Sequence, residues 1–87
     1  MEKNEVYSPG MPLREKILYL LRLLKKGESS ELASEVADRE GISSEEGLAE
    51  ITLLIEQELH KLVDEGLITR IKEHRQKIRY TISVQGN

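Results

Sequence analysis

Cysteine, tryptophan and phenylalanine are missing from the 87 residues, and Tyr7, Tyr19 and Tyr80 are the only aromatic side chains. Without cysteine there is no disulfide framework, no thiolate zinc site and no cysteine nucleophile. Any core must be aliphatic, and a chain of this length lies near the lower limit for a single core without staples. Long apolar runs are missing as well. The most apolar stretch, Ile17 to Leu24, contains Arg22 and falls far short of the roughly 18 residues needed to span a bilayer. The opening Met1-Glu2-Lys3-Asn4-Glu5 does not look like a signal peptide. The expectation is one small cytoplasmic domain without a cofactor.

Charge, by contrast, is abundant. The formal net charge of −3 averages three blocks: +3 over residues 1–27, −10 over 28–65 and +4 over 66–87. A uniformly acidic surface argues against nucleic acid, whereas segregation of this kind points to partner surfaces. The competing explanation is the charge-rich, solvated surface of a heat-tolerant protein, which fourteen glutamates suit.

Residues 1–11 have no sustained periodicity and read as a flexible leader; a folded domain is expected over 12–84, and 85–87 should fray. From Pro12, Leu13, Ile17, Leu20, Leu21 and Leu24 follow helical spacing, and Gly27 is the expected stop. Leu18, Tyr19 and Leu23 lie off that stripe and invite a homodimer interface. Ser29 or Ser30 is expected to cap a second helix, with Leu32, Ala33, Val36 and Ala37 inward and Gly41 at its end. Ser43 and Glu46 have capping-box spacing. They open a third helix with Leu48, Ile51, Ile55, Leu59 and Leu62 on one face and Leu53, Leu54 and Val63 widening it, ending at Gly66. Gly47 near its start weakens it and allows a break or a short first piece. The period then becomes two: Leu67 to Lys72 and Ile78 to Val84 predict a hairpin. No glycine sits in the Glu73–Lys77 connection, so a simple two-residue primed turn is not expected.

Four segments in order carry a resemblance: Glu31-Leu32-Ala33, Gly41-Ile42-Ser43, Leu62 to Arg70 (L-V-D-E-G-L-I-T-R), and Lys77 to Ile82 (K-I-R-Y-T-I). They resemble the winged helix-turn-helix DNA-binding family, specifically small prokaryotic and archaeal regulators, over residues 13–84. The resemblance implies a mainly α fold with a small β-hairpin, three or four helices followed by a two-stranded wing. The separation of Gly41 from Gly66 implies an elongated third helix or an extra short one before it. In the family the helix after the turn enters the major groove while the wing touches backbone or minor groove.

For this chain the wing suits that task better than the helix. Alternation places Lys77 and Arg79, with Arg70 or Lys72, on one face near Arg75, a strip able to neutralise phosphates. His74 in the wing loop is a further phosphate contact. The bland alternative is a charged edge that deters strand pairing. The third helix opens with Ser43-Ser44-Glu45-Glu46-Gly47-Leu48-Ala49-Glu50, three carboxylates that phosphates would repel. The expected nucleic-acid-binding residues are therefore Arg70, Lys72, His74, Arg75, Lys77 and Arg79, with limited base contact from Ser43, Ser44 or Gln57. A second basic face from Arg14, Lys16, Lys25 and Lys26 on the leading helix is an alternative.

His60 with Glu56 and Asp64 stacks three metal-ligand types on one helix face, yet one straight helix rarely encloses an ion, and no metal role is assigned. No phosphate loop or nucleophile elbow is present, and catalysis is not expected. The leading expectation is a small transcriptional regulator binding double-stranded DNA as a homodimer. The rival is a protein-interaction module in a transcription, replication or remodelling assembly, docking through the acidic 28–65 face.

Overall fold

The computed structural model describes residues 7–83. Residues 1–6 of the expected leader, Val84 and the expected frayed end lie outside the described residues. Among those described, three helices precede one antiparallel hairpin: α1 (Leu13–Leu24), α2 (Ser29–Glu40), α3 (Glu45–Asp64), β1 (Ile68–Lys72) and β2 (Ile78–Ile82). The layout is mainly helical and winged-helix-like.

The core is aliphatic, as the composition requires. Ile17, Leu20 and Leu21 of α1, Leu32, Ala33 and Val36 of α2, and Ile55, Leu59 and Leu62 of α3 are buried together with Ile68 at the root of β1. Each helix contributes positions three or four apart, so three stripes converge and Ile68 closes the bottom.

Two helix ends follow their glycines. At α2 the Ile42 amide donates to the Ala37 carbonyl at 2.8 Å, and Gly41 takes φ +71°. At α3 the Leu67 amide donates to the Leu62 carbonyl at 3.0 Å, and Gly66 takes φ +80°. Both are Schellman closures, which need a left-handed residue that glycine adopts without a Cβ clash.

The other termini correct the sequence reading. α1 stops at Leu24 because Lys25, not Gly27, turns the chain, at φ +76° and ψ −46°. Gly27 instead exchanges two backbone hydrogen bonds with Tyr80, at 3.0 and 2.8 Å, and adds a one-residue third strand beside β2. The cap of α2 is Glu28 rather than Ser29 or Ser30, and its amide donates to the Glu31 carboxylate at 2.8 Å. α3 begins one residue later than expected, with Ser44 as cap accepting from the Gly47 amide at 3.0 Å. Of the two options for the long Gly41–Gly66 interval, the elongated helix is the one realised. α3 runs 20 residues without a break. Gly47 does not weaken it by accident: a Cβ there would lie 2.7 Å from Ile42 Cγ2 and 2.9 Å from the capping Ser44 Oγ.

Candidate nucleic-acid interface

The hairpin register pairs Ile68 with Ile82, Arg70 with Tyr80, Ile71 with Arg79 and Lys72 with Ile78. Arg70 and Lys72 therefore share a face with Ile78, Tyr80 and Ile82. Arg79 lies on the opposite face beside Ile71. This corrects the expected single basic strip: the strip breaks because β1 and β2 meet in a register that sets Arg70 and Arg79 back to back.

Four successive residues of the α1–α2 linker hold the wing along β2, from Thr81 at its base to Glu73 and Lys77 in the loop. The Lys25 carbonyl accepts from the Thr81 hydroxyl at 2.9 Å, and Lys26 donates to Glu73 at 3.1 Å. Gly27 pairs with Tyr80, and the Glu28 carboxylate lies 3.9 Å from both Lys77 Nζ and Arg79 Nε. Arg79 Nε is also 3.5 Å from Glu73 and has no hydrogen bond of its own. The Lys26 hydrogen bond holds the Glu73 carboxyl below the usual range, with Arg79 and His74 adding to the effect. Lys77 and Arg79 are thus partly neutralised within the chain. Sequence reading missed Glu28 and Glu73 as their counter-charges. The available signal was that Glu73 is the sole acid in a basic block.

On β1 and at the bend of the loop the charges change character. Arg70, Lys72 and Arg75 are exposed and make no ion pair or side-chain hydrogen bond with any described residue. The tip bends at Arg75 and Gln76, both left-handed at φ +61° and +64°, and the Lys77 amide reaches the His74 carbonyl at 3.3 Å. The connection between the paired Lys72 and Ile78 has five residues, longer than a bare two-residue turn, yet two non-glycine residues carry its positive φ. Left-handed backbone in such residues costs roughly 1 kcal/mol each.

Between the wing and the helices lies an open polar groove of about 460 Å³. Arg70, Lys77 and Tyr80 line it from the hairpin, and Glu28, Glu56 and His60 from the helices. Ser43 and Ser44 line a separate depression at the α2–α3 turn, beside Ile42 and Leu48. Of the expected wing residues, the groove brings together only Arg70 and Lys77; Lys72, His74, Arg75 and Arg79 do not line it, and the two serines lie elsewhere. Ser44 Oγ is already engaged as a cap. Gln57 is exposed on α3. Among the described residues no group of three or more His, Asp or Glu side chains is placed to hold a metal, so Glu56, His60 and Asp64 do not converge on one.

The alternative basic face on α1 is largely internal. Arg14 forms a two-pronged pair with Glu65, both contacts at 2.8 Å, and reaches Glu58 at 3.1 Å. These bonds hold Glu65 below the usual carboxylate range. Lys16 is buried and pairs with Glu40 at 2.6 Å. Tyr7 donates its hydroxyl to the same carboxylate. Burial alone would push Glu40 up, but Lys16 and Tyr7 outweigh it and hold the carboxyl below its usual range. Burial, then the bond to Glu40, raises the Tyr7 hydroxyl.

The expected dimer residues also divide. Leu18 and Tyr19 pack against the core, and the Tyr19 ring meets Tyr7 edge-on at 5.9 Å with the Arg39 guanidinium over both rings. Tyr7, read as part of the leader, therefore covers one of the predicted interface side chains. Leu23 remains 52% exposed.

Among the described residues no helix is long and apolar enough to cross a membrane. Comparison with protein-family models, curated proteins and solved structures yields no match.

Proposed function

We propose that the chain is a winged helix-turn-helix protein that binds duplex DNA mainly through its wing, as a small transcriptional regulator. The supporting observation is that Arg70, Lys72 and Arg75 are exposed and unpaired among the described residues, on a hairpin whose root is fastened to the α1–α2 linker. Cations without internal partners gain most from phosphate, because no existing pair must break. A fastened root limits the ordering entropy lost on contact. His74 and Lys77 in the loop, and Arg79 on the opposite face, are secondary contacts, Lys77 and Arg79 in competition with Glu28. The acidic first turn of α3 limits base reading to Ser43 or Ser44, and Gln57 lies farther along the helix in line with Glu46 and Glu50, so sequence selectivity is modest. The reading includes a homodimer, for which Leu23 and the adjacent Leu24 are the exposed apolar residues at the end of α1. Light scattering after size exclusion tests it, and a 10 kDa species at high concentration contradicts it.

Fluorescence anisotropy with a random duplex tests the DNA contact. Three phosphate contacts predict affinity falling roughly 20-fold between about 50 and 150 mM salt. Charge reversal at Arg70, Lys72 and Arg75 to Glu should abolish binding while circular dichroism stays unchanged. No binding by the wild type at about 50 mM salt rejects the reading, and unchanged binding by the triple variant rejects the wing assignment.

A further inference from the structure

The carboxylates of α3 fall into two kinds. Glu56 accepts from the Ser29 hydroxyl at 3.2 Å, and Glu58 pairs with Arg14, so these stitch the helix to its neighbours. Glu46, Glu50 and Asp64 make no hydrogen bond or ion pair with any described residue. They are not scattered. Glu46, Glu50, Leu53, Gln57 and Asp64 recur at helical spacing along one line, opposite the buried Ile55, Leu59 and Leu62. Every residue of that line is exposed, and Leu53 and its neighbour Leu54 leave 55% and 49% of their surface in water; of the three side chains expected to widen the buried face, only Val63 packs on the core.

Charge decides what can cover these leucines. Duplex DNA is repelled by unpaired carboxylates along the same line. A second copy packed face to face about a two-fold axis would set Glu46 against Asp64, and Lys61, the one lysine or arginine of α3, offsets only one of the three carboxylates and already lies 4.0 Å from Glu58. A basic segment is attracted, and one with an apolar stripe also removes the leucines from water. We propose that the outward stripe of α3 is the docking surface for a basic amphipathic helix of a partner protein, whose apolar residues cover Leu53 and Leu54 and whose lysines or arginines meet Glu46, Glu50 and Asp64. This surface is separate from the wing cations, so a partner helix and DNA could be held together. The expected acidic docking face over 28–65 thereby narrows to one stripe.

The probe is a synthetic Lys/Leu peptide of about 18 residues, five helical turns, with leucines at helical spacing. A scramble of the same composition serves as control, and the full chain is used throughout. The amphipathic peptide should bind at least about tenfold more tightly than the scramble, because only it covers both leucines. Amide shifts should follow residues 46–64. Leu53→Ser with Leu54→Ser, both on the surface, should reduce its affinity to that of the scramble with circular dichroism unchanged. Four results overturn the proposal: no peptide binding, equal affinity for both peptides, indifference to the double substitution, or shifts mapping elsewhere. Self-association lost in the double variant assigns the stripe to a second copy, and duplex DNA shifting the stripe amides assigns it to DNA; either also overturns it. Failure here leaves the wing reading intact, since that reading depends on Arg70, Lys72 and Arg75 with DNA as ligand.

Discussion

The leading helix and the wing carry similar basic charge in sequence, yet they use it in opposite ways. Arg14 and Lys16 are bound to Glu65, Glu58 and Glu40, so their charge holds α1 to the ends of α2 and α3. Arg70, Lys72 and Arg75 hold nothing among the described residues and remain available to a partner. Charge that is matched internally acts on stability; unmatched charge acts on binding.

Removing a cation from each region should change a different property in each. Lys16→Met keeps the packed stem but strands Glu40, and should cost about 2 kcal/mol in urea unfolding. It should leave DNA affinity within about twofold, the reverse of the wing triple variant. If it weakens DNA binding as strongly as the wing changes do, the division between the regions fails.

A smaller effect is expected at the α2–α3 turn. Helix propensity says Gly47→Ala should stabilise α3 by about 1 kcal/mol. The short approaches to Ile42 and the Ser44 cap reverse the sign, and a loss of about 1 kcal/mol is expected as the cap is displaced. A higher urea midpoint would show that the turn relaxes freely.

Acid titration separates the two regions again. Glu40 and Glu65 in the leading-helix contacts, and Glu73 in the wing loop, all lie below the ordinary value of 4.5 when folded. Their stabilisation is present above the unfolded value and disappears as pH falls through the lower folded values. Unfolding free energy should therefore decline on the acid side of about pH 4.5. In Lys16→Met that decline should be shallower, because Glu40 loses the cation that depresses it. An unchanged acid limb would remove Glu40 from the account.

The smallest effect concerns strain. Lys25→Gly relieves a positive φ in a side-chain-bearing residue and should raise stability by up to about 1 kcal/mol. It should not alter DNA affinity if the linker's grip on β2 resides in backbone and in Lys26 and Glu28. A drop in affinity would make Lys25 itself a contact.

Helix order, the two glycine stops and the hairpin were legible because each depends on local spacing. Leu13 to Leu24 shows a helical period, Gly41 and Gly66 sit where left-handed closures are needed, and Ile78 to Ile82 alternates. The misplaced caps differ for a related reason. Ser29 and Glu28 are adjacent, and the cap depends on which of them meets Glu31 and which meets Glu56 across the fold. Gly27 looked like a stop because its backbone partner, Tyr80, is 53 residues away.

The candidate site was legible as composition, less so as geometry. The basic residues of 66–87 and the carboxylates of α3 can be counted from the chain, as can the segregation beneath the net −3. Counting cannot say which charges are already matched. Arg14 finds Glu65 51 residues on, whereas Arg79 finds Glu28 and Glu73, and Arg70 finds none among the described residues. Local periodicity thus determined the elements of this protein, through backbone geometry that repeats every two or 3.6 residues. Only the tertiary structure decided which charges and leucines remain for a partner, because pairing and burial depend on distances between residues far apart in the chain.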